Sequence, residues 1–127
     1  MTRRYDQICP IASTLDIIGD RWTMLILRDL FLGASRFNQF LQSSPGLPSK
    51  LLSDRLKKLE EHGLIERSVY SQHPLRAEYR LTAEGATLQP VLRAIAAWGL
   101  DHVFEGDEAA RAEVVRRIAE SLSAPAA

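Results

Sequence analysis

The sequence predicts a mainly α-helical domain that carries one small β-hairpin. Apolar residues recur at three- and four-residue spacing through most of the chain, which is the period of a helix with one buried face. One stretch, 64–82, instead combines β-forming residues with alternation of apolar and charged positions. No repeat or long linker divides the sequence, so we expect residues 1–127 to form a single domain.

The composition is that of an ordinary globular protein. Hydrophobic residues make up 46% of the chain and charged residues 25%, and no apolar run is long enough to span a membrane. The chain opens without a signal-peptide pattern, and its single cysteine, Cys9, excludes an internal disulfide. We therefore expect a cytoplasmic protein without a membrane partner.

The formal net charge of zero gives no global signature of nucleic-acid binding, but the charges are unevenly distributed. Residues 47–80 carry seven Lys or Arg against five Asp or Glu, whereas residues 81–127 carry four against seven. This modest asymmetry favours an anionic partner for the middle of the chain.

Residues 9–33 predict two N-terminal helices, each followed by a glycine. Pro10 suits the first helical position, and Ile11 and Leu15 share one face of the first helix. Asp20 can cap the second helix. That helix is apolar over so much of its circumference that it should lie at the centre of the domain.

Residues 35–62 predict a short helix, a turn and a second amphipathic helix. Ser35 can cap the short helix, and a Pro-Gly pair marks the turn. In the second helix, between 47 and 62, leucines line one face while short polar and basic side chains project from the others. Such a helix can simply pack one face on the core and expose the other to solvent, or it can enter the major groove of DNA. The order of elements is that of a helix-turn-helix.

The stretch 64–82 predicts a hairpin, with strands at 64–70 and 77–81 joined by a loop that contains a proline. Because an isolated hairpin is marginal in water, it must pack on the helices and leave its tip projecting, with His73 and Arg76 on it. A helix-turn-helix followed by such a hairpin is a winged helix, whose wing holds phosphate or the minor groove. The alternative is an ordinary surface hairpin.

Residues 83–122 predict the C-terminal helices, and 123–127 predict a frayed tail. Thr82 can cap the first of these helices, and Asp107 can cap the last. Pro90 should either kink the apolar pattern or shift the start of its helix. The apolar stripes of these helices exceed what a small winged-helix core needs, which favours a dimer.

A set of short motifs follows a specific order and spacing from Cys9 to Trp98. These motifs are Cys9-Pro10, Gly19-Asp20-Arg21-Trp22-Thr23, Arg36-Phe37, Pro45-Gly46-Leu47, residues 52–60, Gly63-Leu64-Ile65, Tyr70, Pro74, residues 78–82, Gly85, Leu88, Pro90 and Trp98-Gly99. Together they resemble the HxlR-type winged-helix transcriptional regulators, which are related to the broader MarR group. Pro48 departs from the family, which often has a capping serine there, and this would move the helix start to Ser49. Asp20 stands where a second glycine is common.

The resemblance implies a homodimer in which the first helix and the C-terminal helices exchange contacts, and in which two wings span a palindromic operator. The interface residues would be Ile11, Leu15, Ile95, Trp98, Val114, Ile118 and Leu122. Double-stranded DNA would be contacted by Ser49, Lys50, Ser53, Asp54 and Lys57 from the second helix of the motif, by Arg36 from the first, and by His73 and Arg76 from the wing.

Catalysis has little support in the sequence. No base lies beside Cys9, the three histidines are scattered, and neither a metal-ligand spacing nor a glycine-rich phosphate loop is present. We therefore expect a protein that is not an enzyme and needs no cofactor and no metal. The alternative to DNA binding is a protein-interaction adaptor that uses the stripe from Val114 to Leu122.

Cys9 has two interpretations. A free cysteine is usually a small buried apolar residue. It also lies just before a predicted helix N-terminus, where the helix dipole favours thiolate. In regulators that resemble this chain, a cysteine at this place senses oxidants, quinones or aldehydes. The resemblance therefore implies redox or electrophile sensing at Cys9, and the alternative is regulation by a non-covalent small ligand.

Overall fold

The computed structural model describes residues 9–122, so the predicted tail at 123–127 lies outside the described residues. Within that range the chain forms seven helices and one two-stranded antiparallel sheet. In chain order the elements are α1 (Pro10–Ile18), α2 (Arg21–Phe31), α3 (Phe37–Ser43), α4 (Ser49–Glu61), β1 (Ile65–Gln72), β2 (Leu75–Leu81), α5 (Ala83–Ala86), α6 (Gln89–His102) and α7 (Glu108–Leu122). The prediction of a mainly helical winged helix-turn-helix is confirmed.

The central position predicted for α2 is also found, since this helix contacts α3, α4, α6 and β2. Its Ile26 and Leu27 are completely buried, together with Phe40 of α3. The three leucines that α4 turns inward, residues 52, 56 and 59, are buried in the same cluster. Burying an aliphatic or aromatic side chain stabilises the fold by about 1.5–3 kcal/mol, so this cluster fixes how the helix-turn-helix packs.

The helix starts agree with the sequence in part. Ser35 was the expected cap of α3, but the helix begins at Phe37, and the side chain of Gln39 accepts hydrogen bonds from the backbone N–H groups of Ser35 and Arg36 at 2.8 and 2.9 Å. The Ser35 prediction is therefore wrong, because Arg36 occupies the N-cap position and Ser35 lies one residue before it. Pro90 lies in the first turn of α6 and shifts the start of that helix without kinking it.

The wing is longer than predicted. The expected loop at 71–76 is wrong, because Ser71 pairs with Arg76 and Gln72 pairs with Leu75 in the antiparallel ladder. Only two residues, His73 and Pro74, connect the strands. The proline lies in the turn itself, where its missing N–H breaks no ladder hydrogen bond, so it does not shorten the strands.

A short bridge attaches the wing to the start of α3, a contact that the sequence pattern did not indicate. The N–H of Tyr79 donates to the carbonyl of Ser35 at 2.7 Å, and Arg36 and Glu78 form an isolated β-bridge. At the base of the wing, Thr82 donates its hydroxyl to the carbonyl of Gly63 at 2.6 Å and accepts from the N–H of Gly85 at 3.0 Å. The half of the hairpin farther from its tip is thereby held to the helices.

The helix α7 folds back on α6. Arg111 donates to the carbonyl of Leu100 at 2.6 Å, and Arg93 donates to the carbonyl of Leu122 at 3.1 Å. Leu122 is only 8% exposed, and Ile118 packs against the same core. The α7 stripe that the sequence assigned to a dimer interface therefore packs largely on its own chain. No helix within residues 9–122 is long and apolar enough to cross a membrane.

Candidate nucleic-acid interface

The outer face of α4 carries the side chains that the sequence proposed for DNA contact. Spacings of three and four residues put them on one side of the helix, opposite the buried leucines. The ε-ammonium of Lys50 lies 4.0 Å from the carboxylate of Asp54, a loose pair between neighbouring turns. All five are exposed: Ser49, Lys50, Ser53, Asp54 and Lys57.

Two further basic residues of α4 point to the protein instead. The ε-ammonium of Lys58 donates to the backbone carbonyl of Asp16 at 2.6 Å. The Nε of Arg55 lies 3.3 Å from a carboxylate oxygen of Asp20, with which it forms an ion pair. The basic residues of α4 therefore divide into an outward group and an inward group, a division that composition and charge counts do not reveal.

Asp20 caps α2, as predicted. Its carboxylate accepts from the backbone N–H of Thr23 at 3.0 Å and from the Thr23 hydroxyl at 2.5 Å. Burial acts to raise the pKa of the Asp20 carboxyl, but the hydrogen bonds from Thr23 and the charge of Arg55 outweigh it and hold the pKa below the ordinary value. The ionised form is therefore the one that this corner of the fold stabilises.

Arg36 is turned toward the wing. Its guanidinium lies 3.3 Å from the carboxylate of Glu78 and stacks over the ring of Tyr70, 4.8 Å from the ring centroid. The side chain is still half exposed. The residue that the sequence assigned to the DNA backbone thus also connects α3 to the hairpin.

A groove of about 590 Å³ lies between α3, the outer face of α4 and the wing. It brings together three of the residues proposed from the sequence, Arg36, Ser53 and Arg76. The other five proposed residues are exposed outside its lining, namely Ser49, Lys50, Asp54, Lys57 and His73. The sequence pattern did not assign to this surface the other polar and aromatic side chains that line it, namely Phe37, Asn38, Gln39, Gln42, Arg67, Tyr70 and Tyr79. The two-residue alternation of β1 could have indicated Arg67.

Cys9 is the N-cap residue of α1, where its sulfur accepts a hydrogen bond from the N–H of Ala12 at 3.4 Å. The side chain is half buried. Within the part of the chain that the structure describes, no three His, Cys, Asp or Glu side chains form a group that could hold a metal ion.

An apolar groove of about 530 Å³ separates α1 from α6. Leu15 of α1 and Ile95 of α6 line it and are 57% and 54% exposed, and Ile11 and Trp98 are more exposed still. This exposed apolar surface lies on the two helices from which the sequence proposed a dimer interface.

The chain is similar to known transcription regulators. Residues 17–107 match the family model described as HxlR-like helix-turn-helix. An uncharacterized HTH-type transcriptional regulator of Synechocystis sp. is 47% identical over 94 residues, which cover 74% of this chain and 70% of that protein. The HTH-type regulator YdeP of Bacillus subtilis is 43% identical over 91 residues, covering 72% and 71% of the two chains.

Solved structures agree with these relatives. The reduced form of the redox regulator HypR is 36% identical and superposes with a TM-score of 0.68, covering 72% of this chain and 90% of that one. The reduced form of the transcriptional regulator YodB from Bacillus subtilis is 35% identical with a TM-score of 0.64, and the coverage is 79% and 99%.

Proposed function

The chain belongs to the HxlR-like helix-turn-helix family, and from this membership we propose that it works as a homodimer that recognises a palindromic operator in double-stranded DNA. The chain is a transcription regulator of this type, and its relatives are regulators and not enzymes. It would act where the DNA is, which in the bacteria of these relatives is the cytoplasm. The observation that carries the proposal is the exposed polar and basic face of α4, held in place by three buried leucines.

In this proposal α4 is the recognition helix and lies in the major groove, which is wide enough to admit a helix. Ser49, Ser53 and Asp54 face base edges, and Lys50 and Lys57 supply the charge that phosphates attract. Arg76 and His73 contact the backbone from the wing. The groove between α4 and the wing, which Arg67, Asn38 and Arg76 line, extends the same surface across the duplex.

Salt dependence tests this proposal. Lys57→Ala and Arg76→Ala are each expected to reduce the log–log salt slope of operator binding by about 0.9, because each removes one phosphate contact. The probe is an operator duplex that the wild-type protein selects from a random-sequence library. Binding is measured by fluorescence anisotropy between about 50 and 200 mM salt.

Arg116→Ala is the matched control for the salt series. Arg116 is an exposed arginine on α7 that pairs with Glu113 and Glu120, so removing it should leave the salt slope unchanged. If the wild-type protein shows no salt dependence, DNA binding is contradicted and the adaptor interpretation is favoured.

We further propose that modification of Cys9 switches operator binding. Two similar chains are redox-related, since HypR is described as a redox regulator and YodB was solved in a reduced form. In this chain Cys9 caps α1, and α1 borders the apolar groove proposed as the dimer interface. An adduct or an interchain disulfide at Cys9 would therefore change the distance between the two recognition helices.

Treatment with diamide is expected to release the wild-type protein from its operator and to leave Cys9→Ser bound. Diamide accepts two electrons from the Cys9 thiols of two chains, which then form one interchain disulfide. Anisotropy follows binding, non-reducing electrophoresis detects the linked dimer, and dithiothreitol should restore binding. If both proteins stay bound, or if the thiol does not react in the native protein, Cys9 has a packing role.

Regulation by a non-covalent ligand is the second candidate, and one cavity favours it. A cavity of about 430 Å³ lies between α2 and α7, with Leu32, Val114 and Ile118 as apolar walls and with Arg28 and Arg117 in its lining. A small amphipathic molecule that releases Cys9→Ser from the operator would support this mode of regulation, because no thiol chemistry is then available.

A further inference from the structure

We propose that Arg55 and Lys58 are positioning residues, which hold α4 on the corner between α1 and α2 and do not contact DNA. The inference rests on the proposed function, in which α4 is the recognition helix. It separates the basic residues of one helix into two roles. Lys57 contacts DNA, whereas its neighbour Lys58 holds the helix in its orientation.

Lys58 is tied to the end of α1. Its ε-ammonium donates to the carbonyl of Asp16 at 2.6 Å, and the side chain is half buried. Asp16 lies in the last turn of α1, where carbonyl groups lack partners within the helix and where the helix dipole favours a cation. The contact therefore gives the carbonyl a donor and the ammonium an acceptor. It also keeps the charge of Lys58 away from the exposed face of α4.

Arg55 is tied to the start of α2. Its Nε is buried and lies 3.3 Å from the carboxylate of Asp20, the residue that caps α2. The same carboxylate thus holds the first turn of α2 through Thr23 and the side of α4 through Arg55. The hydrogen bonds from Thr23 and the charge of Arg55 lower the pKa of the Asp20 carboxyl, so the partner of Arg55 is a charged carboxylate.

Two contacts on one side of α4 fix its rotation. Positions 55 and 58 are three residues apart and lie on the same side of the helix, on successive turns. Apolar packing of the leucines has no preferred direction, whereas the hydrogen bond of Lys58 is directional, and the ion pair of Arg55 with Asp20 holds a second point on the helix. The pair therefore sets the angle at which Ser49, Ser53 and Lys57 are presented. Because α1 also lines the groove proposed as the dimer interface, a displacement of α1 would reach α4 through Lys58.

The experiment compares two adjacent lysines, Lys57→Met and Lys58→Met, in the full chain. Affinity is measured across salt for the selected operator duplex and for a mixed-sequence duplex of equal length. Lys57→Met should lower the salt slope by about 0.9 and weaken both duplexes alike. Lys58→Met should leave the slope unchanged, weaken the operator complex about tenfold and leave the mixed-sequence complex unchanged, since a misaligned helix loses base contacts first.

Conservative variants guard against a fold defect. Lys58→Arg and Arg55→Lys keep a cation at each position and should recover most of the lost discrimination, whereas Arg55→Met should behave as Lys58→Met does. In a double-mutant cycle, Asp20→Asn should add little to Arg55→Met, because both changes break the same ion pair. Thermal unfolding of every variant shows whether binding is measured on folded protein.

Three results would overturn the assignment. A slope lowered by Lys58→Met as much as by Lys57→Met would make Lys58 a phosphate contact. If Lys58→Met and Arg55→Met leave the ratio of operator to mixed-sequence affinity unchanged, these residues do not align α4. The assignment would also be rejected if Lys58→Arg and Arg55→Lys failed to recover the discrimination between operator and mixed-sequence DNA. Failure of the proposed function is distinct, because the wild-type protein itself would then show no operator binding, and both proposals would fall.

Discussion

Replacing Leu15 and Ile95 together with glutamate is expected to produce monomers and to weaken operator binding by about a thousandfold or more. The two side chains line the apolar groove between α1 and α6, and each is more than half exposed in the single chain. Carboxylates there would have to be buried unpaired when two chains meet. A monomer contacts one half-site, so its affinity should fall toward that of non-specific binding, which is typically at least about a thousandfold weaker.

Sedimentation at micromolar concentration gives the oligomeric state, and anisotropy gives the affinity for the operator. Val115→Glu is the control, because Val115 is 47% exposed on α7 and the same charge there should leave the dimer intact. A wild-type protein that sediments as a monomer would contradict the interface altogether. A dimer lost in Val115→Glu and kept in the double variant would move the interface to α7.

The interface residues expected from the sequence include Val114 and Ile118 of α7. The structure makes these residues a poorer choice, because both are half buried and Ile118 packs against the core of its own chain. A charge at either place would disturb folding and association together. Charges at Leu15 and Ile95 should affect association without disturbing folding, since little of the surface of these side chains is buried within one chain.

Gly85→Ala is expected to lower the free energy of unfolding by about 3 kcal/mol. A Cβ at position 85 would lie 1.9 Å from the carbonyl oxygen of Leu64 and 3.1 Å from the side chain of Leu81. That carbonyl already accepts a hydrogen bond from the N–H of Thr82 at 3.0 Å. The extra methyl group must therefore push apart α5 and the base of the wing, and this separation breaks backbone hydrogen bonds.

Urea unfolding followed by circular dichroism measures this loss. Gly99→Ala is the contrasting substitution, because the nearest atom to its new Cβ would be a methyl of Val103 at 3.6 Å, an ordinary contact. Within α6, alanine should be more stable than glycine by about 1 kcal/mol. Equal protein concentrations keep association constant between the variants. A Gly85→Ala protein as stable as the wild type would show that the wing base can relax.

Features set by neighbouring residues could be predicted from the sequence. The leucine spacing of α4 predicted its buried face, since a helix repeats every 3.6 residues whatever packs against it. The caps at Asp20, Thr82 and Asp107 are confirmed, each with a side-chain oxygen accepting a backbone N–H three residues on. Both signals are local, so they need no knowledge of the tertiary structure.

Contacts between distant residues could not be predicted in the same way. The ion pair of Arg36 with Glu78 joins residues 42 positions apart, as does the hydrogen bond from Lys58 to Asp16. A long flexible side chain can reach many partners, and the choice depends on how the helices pack. Gly85 is a further example, because the crowding that requires glycine comes from the backbone of Leu64, which its own local sequence does not reveal.

The stability of the corner between α1 and α2 depends on whether the carboxyl group of Asp20 is protonated. Its pKa in the folded protein lies below the unfolded value of about 3.9, so its contribution to stability is complete above that value and is lost as pH falls through the folded pKa. Protonation would weaken the cap of α2 and the ion pair to α4 together. A histidine-based switch responds between about pH 5 and 8, but this site stays ionised throughout that range. The alignment of α4 through Asp20 therefore does not respond to changes in cellular acidity. Any effect of such changes on the operator complex must come from other groups.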